Sequence, residues 1–372
     1  MTEAVEVRGA GRDPEVLQSQ LSAWFESTLP DAAPVVSALH RPESNGMSSE
    51  SVLFDVELTD GGQRRSVPCV ARLAPEADSV PVFPTYDLEA QFNVIRLVEA
   101  RTDVPVPSPR WLEPGAEALG SPFFVMDRLV GRVPPDVMPY NFDSWLKDAD
   151  EADQRRLVDG TMRAIAGIHT LTPENADLAF LEIDEPGDTA LRRHLAMTNG
   201  YYRWAHDGES IPVLDRGFAW LDANFPSDEG PAVLLWGDAR IGNVLYDGFD
   251  PIGVLDWEMA SVGPPELDVS WGIFLHRFFE DLAADMEVVG MPDFLRLDDV
   301  VASYERASGY APRDMHWFLA YAAVRHGVVM SRIHLRQVQL GVAEMPADRD
   351  EMVLHRATID AMVDGRYWET LP

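Results

Sequence analysis

The chain has 372 residues, 46% of them hydrophobic and 25% charged, enough to build one large or two smaller packed cores. Its 62 acidic residues against 30 basic ones leave a formal net charge of −32, which excludes a general electrostatic surface for nucleic acid or anionic lipid. A single cysteine, Cys69, excludes an internal disulfide, and no apolar run approaches the length of a bilayer span.

The N-terminal MTEAVEVRGAGRDPEV is acidic and lacks an apolar stretch, so it does not read as a signal peptide, and the cytoplasm is the expected location. Residues 14–28 place Leu17, Leu21, Trp24 and Phe25 at helical spacing, which predicts an amphipathic helix. Three strand-like runs follow, Val35–His40, Ser51–Leu58 and Val67–Leu73, the last two joined by the turn residues Asp60, Gly61 and Gly62. Residues 86–100 read as a helix with Leu88, Phe92 and Ile95 inward, ended by the proline-rich VPVPSP. Two more strands, Pro109–Glu113 and Pro122–Leu129, complete a β-rich stretch with one central helix.

After GRVPPD the pattern changes. Residues 151–170 put Leu157, Thr161, Met162, Ile165 and Ile168 on one helical face. Residues 187–225 read as irregular. A short β cluster follows, Ala232–Trp236, Asn243–Asp247 and Ile252–Asp256, and then helices around 267–282, 298–308, 314–338 and 348–364. Strands first and helices afterwards indicate the α+β class rather than a doubly wound sheet.

The segment LLWGDARIGNVLYDGFDPIGVLDWEMA, residues 234–260, carries the chemistry. Asp238 lies in a loop after one strand, Asn243 opens the next, and Asp256 ends a third. Phosphoryl transfer needs a carboxylate near the attacking hydroxyl and hard oxygen ligands for the Mg²⁺ that bridges nucleotide phosphates. Asp238 suits the first task, and Asn243 with Asp256 suits the second, all three supplied from one rigid hairpin. The plain alternative is that both aspartates merely end strands in turns; the combined spacing of all three favours the chemical reading.

WGDARIGNVLYD followed by GVLDWEMASVGPPELDVSW resembles the catalytic signature of the aminoglycoside phosphotransferase family, especially the branch related to the kinase-like domains found beside acyl-CoA dehydrogenases. The resemblance covers roughly residues 30–340. It implies a two-lobed protein-kinase-like fold, with a nucleotide-covering antiparallel lobe over residues 1–130, led by the helix 14–28, and a mainly helical lobe over 131–372 that carries the catalytic loop and the acceptor site. It implies Asp238 as catalytic base, Asn243 and Asp256 as metal ligands, and Asp268 as a buried aspartate holding the catalytic loop through backbone hydrogen bonds. One departure is Trp236, which stands where the family usually has a loop-supporting histidine.

The same resemblance places a phosphate-covering loop at Asn45 and Gly46 with Ser48 and Ser49, where backbone N–H groups and small hydroxyls can meet phosphate oxygens. The chain's only lysine is Lys147, so the phosphate-holding cation on the third strand is expected to be Arg72, partnered by Glu89, with Glu99 as the other helix glutamate in reach. Backbone groups near Met126 to Arg128 match the hinge that bonds a purine edge. His169 matches a family histidine read here as a packing and hydrogen-bonding residue. Tyr202, Arg325, His326 and Arg332 are the candidates for the acceptor side. The implied partners are ATP or GTP, Mg²⁺ and a small-molecule hydroxyl acceptor, either aminoglycoside-like or a hydroxyacyl metabolite, with no nucleic acid and no membrane. The competing class is a nucleotide-binding pseudokinase or regulatory module without transfer activity.

Overall fold

The computed structural model describes residues 12–41, 49–76, 79–369 and 371. The predicted Ser48 and the turn at Asn45 and Gly46 fall outside the described residues. Two compact units emerge, one from residues up to 96 with 107–129 and 335–344, the other from 97–106, 130–334 and 345–372.

The first unit is built on a five-stranded antiparallel sheet of order β1-β2-β3-β5-β4, with β1 at Val35–Val36, β2 at Glu50–Asp60, β3 at Gln63–Leu73, β4 at Pro109–Glu113 and β5 at Phe123–Asp127. The β2–β3 hairpin turns at Gly61 and Gly62, whose φ values of 57° and 82° both lie in the left-handed region that glycine enters without strain. Alternation along the hairpin puts Val52, Phe54, Val56, Leu58, Cys69, Ala71 and Leu73 on one face. Against that face packs helix α1, Pro14–Thr28, through Leu17, Leu21, Trp24 and Phe25. Asp13 caps α1 by accepting the N–H groups of Glu15 and Val16. Arg72 and Phe124 occupy the opposite parity, directly cross-strand from one another. Phe124 packs edge-on against Phe92 of helix α2, Leu88–Arg101.

The second unit is mainly helical. Its helices are α3 (Glu151–Ile168), α4 (Ala190–Ala205), α5 (Pro212–Ala223), α6 (Glu266–Asp285), α7 (Leu297–Ser308), α8 (Met315–Gln339) and α9 (Arg356–Val363). The stretch 187–225 expected to be irregular is helical in α4 and α5. Thr189 caps the first, Pro212 opens the second, and Tyr202 and Phe218 lie on their buried faces. The short strands also differ from expectation. They form two separate ribbons, β6 (Val233–Leu235) with β9 (Ser261–Gly263) and β7 (Val244–Asp247) with β8 (Asp250–Val254), instead of one three-stranded hairpin. Among the described residues, no helix is long and apolar enough to cross a membrane.

Helices α4, α6 and α9 bury histidines with little solvent contact. Burial, then the charge of Arg325, pushes His194 down to about 3; burial, then Arg277, pushes His276 down to about 3; burial pushes His355 down to about 4. His276 Nε2 donates to the carbonyl of Met291 at 3.1 Å, and its Nδ1 lies 2.8 Å from the Tyr140 hydroxyl. Because the folded values lie below the unfolded 6.5, this stability is complete above pH 6.5 and is lost as pH falls below it. Each of the three should cost about 2 kcal/mol between pH 6.5 and 5. Thermal unfolding at pH 7.5 and pH 5 should therefore show a clear fall in midpoint; equal midpoints would contradict buried neutral histidines.

Candidate active site

Strand β6 is fully buried and delivers the chain to Trp236 and Gly237. At Gly237, with φ at 90°, an added Cβ would lie 1.9 Å from the carbonyl oxygen of Met259, so only glycine allows the two backbones to meet. Asp268, in the first turn of α6, accepts the N–H of Trp236 on Oδ2 and that of Gly237 on Oδ1, each at 2.8 Å. His169, which caps the C-terminus of α3, adds a third contact to Oδ2 at 3.0 Å through Nε2, and its Nδ1 meets the Tyr304 hydroxyl at 2.7 Å. One buried carboxylate thus fastens the loop entry to two helices.

Beyond this point the loop turns tightly, Arg240 N–H to Asp238 O and Asn243 N–H to Arg240 O, before entering β7. The Asp238 carboxylate receives the Trp271 indole N–H at 2.5 Å, the Asn243 amide at 2.6 Å and the Arg240 Nε at 3.1 Å. Burial pushes this carboxyl up, but the charge of Arg240 and the hydrogen bonds from Trp271, Asn243 and Arg240 outweigh it and hold the group below its ordinary value. Arg240 is itself anchored on its far side by Asp136.

Asp256 follows β8 with φ at 59°, a left-handed conformation that a non-glycine residue keeps only when its surroundings over-determine it. They do so here. The buried Trp236 ring donates Nε1 to the carbonyls of Leu255, at 2.8 Å, and Asp256, at 3.2 Å, while the Leu255 N–H bonds the Asn243 carbonyl at 2.9 Å. The loops of Asp238 and Asp256 are therefore stitched together through Trp236 and Asn243. With its amide nitrogen committed to Asp238, Asn243 has Oδ1 left as a hard donor, and no described residue donates to it.

In the first unit, Arg72 is half-buried in β3, cross-strand from Ser51 and Phe124. Glu89 is exposed in the first turn of α2, and no ion pair joins it to Arg72. Ser49 is buried, and its hydroxyl has no hydrogen-bond partner among the described residues. Met126 is paired with Val70 in the sheet, and the N–H groups of Asp127 and Arg128 are taken by the carbonyls of Ser108 and Pro68. The Arg128 guanidinium holds Asp55 at 2.7 Å.

The acceptor candidates separate into two groups. Arg325 lies with Cζ 4.9 Å from the Trp271 ring, and His326 packs between Trp271, Phe274 and Phe278. Tyr202 instead closes the α4–α5 connection, accepting the Ile211 N–H and donating to Asp215 at 3.0 Å, and Arg332 covers Trp204. Sequence reasoning missed Trp271, Arg240 and Asp136. Trp271 was findable, since it lies three residues after Asp268 on one helical face; the pairing of Asp136 with Arg240 spans 104 residues and left no local signal.

The model of the phosphotransferase enzyme family matches residues 54–317. Acyl-CoA dehydrogenase family member 11 of Rattus norvegicus is 24% identical over 281 residues, covering 72% of this chain and 34% of that protein, so the chain spans about a third of its relative's length. Among solved structures, a candidate aminoglycoside phosphotransferase from Ralstonia eutropha superposes with a TM-score of 0.65 at 22% identity, over 94% of this chain and 98% of the other. A thermostable mutant of aminoglycoside phosphotransferase APH(4)-Ia, in ternary complex with ADP and hygromycin B, gives 0.55 at 17% identity, over 93% and 98%. These likenesses establish the protein-kinase-like α+β fold.

Replacing Asp268 by asparagine puts a donor against one of the two loop N–H groups while keeping size constant. It should destabilise the chain by about 2–4 kcal/mol in denaturant unfolding. A change below about 0.5 kcal/mol, the scale of an ordinary surface substitution, would show that the carboxylate does not hold the loop.

Proposed function

The chain belongs to the phosphotransferase enzyme family, and from that premise we propose that it transfers the γ-phosphoryl group of ATP to a hydroxyl of a small molecule, with Mg²⁺. The observation that supports this reading above others is the stitched pair of loops, in which one indole and one amide hold Asp238, Asn243 and Asp256 in a single rigid arrangement.

The donor set suits a small hard cation: the Asn243 Oδ1 and the Asp256 carboxylate are two protein oxygens, the number Mg²⁺ takes when water and phosphate complete its shell. Asn243 and Asp256 would hold the ion, which would supply neutralisation of the charge that develops on the transferring phosphoryl group. Asp238 stays ionised at neutral pH because Arg240, Trp271 and Asn243 favour its charged form. It orients the acceptor hydroxyl. As the acceptor oxygen bonds the γ-phosphorus, the bond from that phosphorus to the β–γ bridging oxygen breaks, ADP leaves with the electron pair, and the hydroxyl proton passes to Asp238. In the first unit, Arg72 is the proposed cation for the α- and β-phosphates, Ser49 with Ser48 the proposed phosphate-covering hydroxyls, and the Met126–Arg128 edge the purine side. The Asp127 and Arg128 N–H groups already serve the sheet.

Asp238→Ala should reduce transfer at least about a hundredfold while leaving ATP affinity within a few fold, because the residue faces the acceptor. Turnover by labelled-phosphate transfer, with ATP affinity by calorimetry, checks this; parental turnover would remove the base assignment. Asp256→Asn should behave differently, weakening ATP binding only when Mg²⁺ is present, since it removes a formal charge from the metal site. Titrations with Mg²⁺ and with EDTA separate the two, and an unchanged magnesium dependence would exclude Asp256 as a ligand.

A further inference from the structure

Among the charged groups of the second unit, Arg325 is unusual. It is 5% exposed, yet among the described residues no carboxylate or carbonyl oxygen pairs with its guanidinium. Arg277, buried to a similar degree, donates to the carbonyls of Pro292 and Phe294, and the less buried Arg240 holds Asp238 and Asp136. Its guanidinium, that of Arg325, lies against the face of Trp271, with Cζ 4.9 Å from the ring centroid. A cation–π contact offsets only part of the cost of withdrawing a guanidinium from water without an anion.

Two further facts give this cation a direction. The Arg277 Nε is sealed from solvent without a partner, whereas no nitrogen of Arg325 is sealed, so its small opening falls at the charged end. The same Trp271 that carries Arg325 on its face donates its indole N–H to Asp238 Oδ1 at 2.5 Å. A single indole therefore separates the unpaired cation from the carboxylate that receives the acceptor hydroxyl. Neither of two polar neighbours neutralises it: the Tyr321 hydroxyl is engaged with Thr198 at 2.7 Å and the His194 carbonyl at 3.2 Å, and burial, then the charge of Arg325, keeps His194 uncharged at neutral pH.

We propose that Arg325 binds an anionic group, a carboxylate or a phosphate, carried by the acceptor itself, with Trp271 setting the distance between that group and the hydroxyl presented to Asp238. The inference rests on the phosphotransferase reading and narrows it. The acceptor is an alcohol bearing an oxyanion, such as a hydroxy acid or a phosphate monoester of a diol, and not a polycation. The planar guanidinium suits either group, since both accept its paired N–H donors bidentately.

The experiment uses the full chain in two arms. In the first, thermal unfolding is followed without nucleotide while malonate or inorganic phosphate is titrated. Saturable stabilisation of the parent is expected, absent in Arg325→Gln and partly kept in Arg325→Lys; equal shifts in parent and Arg325→Gln overturn the anion site. In the second arm, labelled ATP and Mg²⁺ are offered with hydroxy acids, diol monophosphates, uncharged diols of matched length and aminoglycosides. Anionic acceptors should be preferred, and the favoured one identifies carboxylate or phosphate. Arg325→Gln should lower kcat/KM for that acceptor roughly 10- to 100-fold, chiefly through KM, with a smaller loss for uncharged diols of matched length. Preference of the parent for diols or aminoglycosides overturns the proposal, and does so even where Arg325→Gln fails to fold. Absent ATP hydrolysis and absent transfer to every acceptor, with the anion shift intact, would sink the phosphotransferase reading while sparing Arg325 as an anion site.

Discussion

The Asp268 carboxylate is the interaction on which the candidate site depends. Its two oxygens take the backbone N–H groups of Trp236 and Gly237, and His169 completes its contacts. Buried backbone donors must find partners, and a loop leaving a buried strand has none of its own. By supplying them from the first turn of α6, Asp268 fixes where the loop starts. The Trp236 ring then reaches the carbonyls of Leu255 and Asp256, and Asn243 takes the Leu255 N–H. Three segments within residues 236–268 thereby share one frame. Trp236 becomes the rivet between two of them: its indole is long enough to cross from the Asp238 loop to the Asp256 loop.

Asp238 illustrates how a buried carboxylate stays charged. Withdrawal from water favours its protonated form, and three donors together with the adjacent Arg240 favour the ion. The balance falls on the ionised side, the state the proposed base requires. Arg240 can stay beside Asp238 because Asp136 holds its other edge. The pair also keeps that guanidinium from acting as a loose counter-charge, since both of its sides are committed.

The chain's overall charge and its local charge point in opposite directions. A net charge of −32 would attract cations at long range. Yet the side chain in contact with the far face of Trp271 is an arginine without an anion. Long-range fields govern encounter and are screened within about 8–10 Å at ordinary salt, whereas a buried unpaired charge governs what binds. For that reason the acidic composition is a weak guide to the acceptor, and the local cation a stronger one.

Periodicity and spacing in the sequence were sufficient for the elements of the sheet unit, for α3 and for the later helices, because their apolar residues recur at the period each element buries. The sequence also singled out Asp238, Asn243 and Asp256 by their spacing in short loops, and Asp268 through the family resemblance alone. It misjudged 187–225, where buried aromatic and charged residues mask the amphipathic period of α4 and α5. It placed three strands in one hairpin, because β9, the partner of β6, is too short to signal itself. Which groups touch Asp238 was decided by tertiary structure alone. Trp271 arrives from α6, Asp136 reaches Arg240 across 104 residues, and Arg325 stands behind Trp271 on a different helix, α8. Such contacts depend on how helices pack, and packing is set by the summed shape of many side chains rather than by any local pattern.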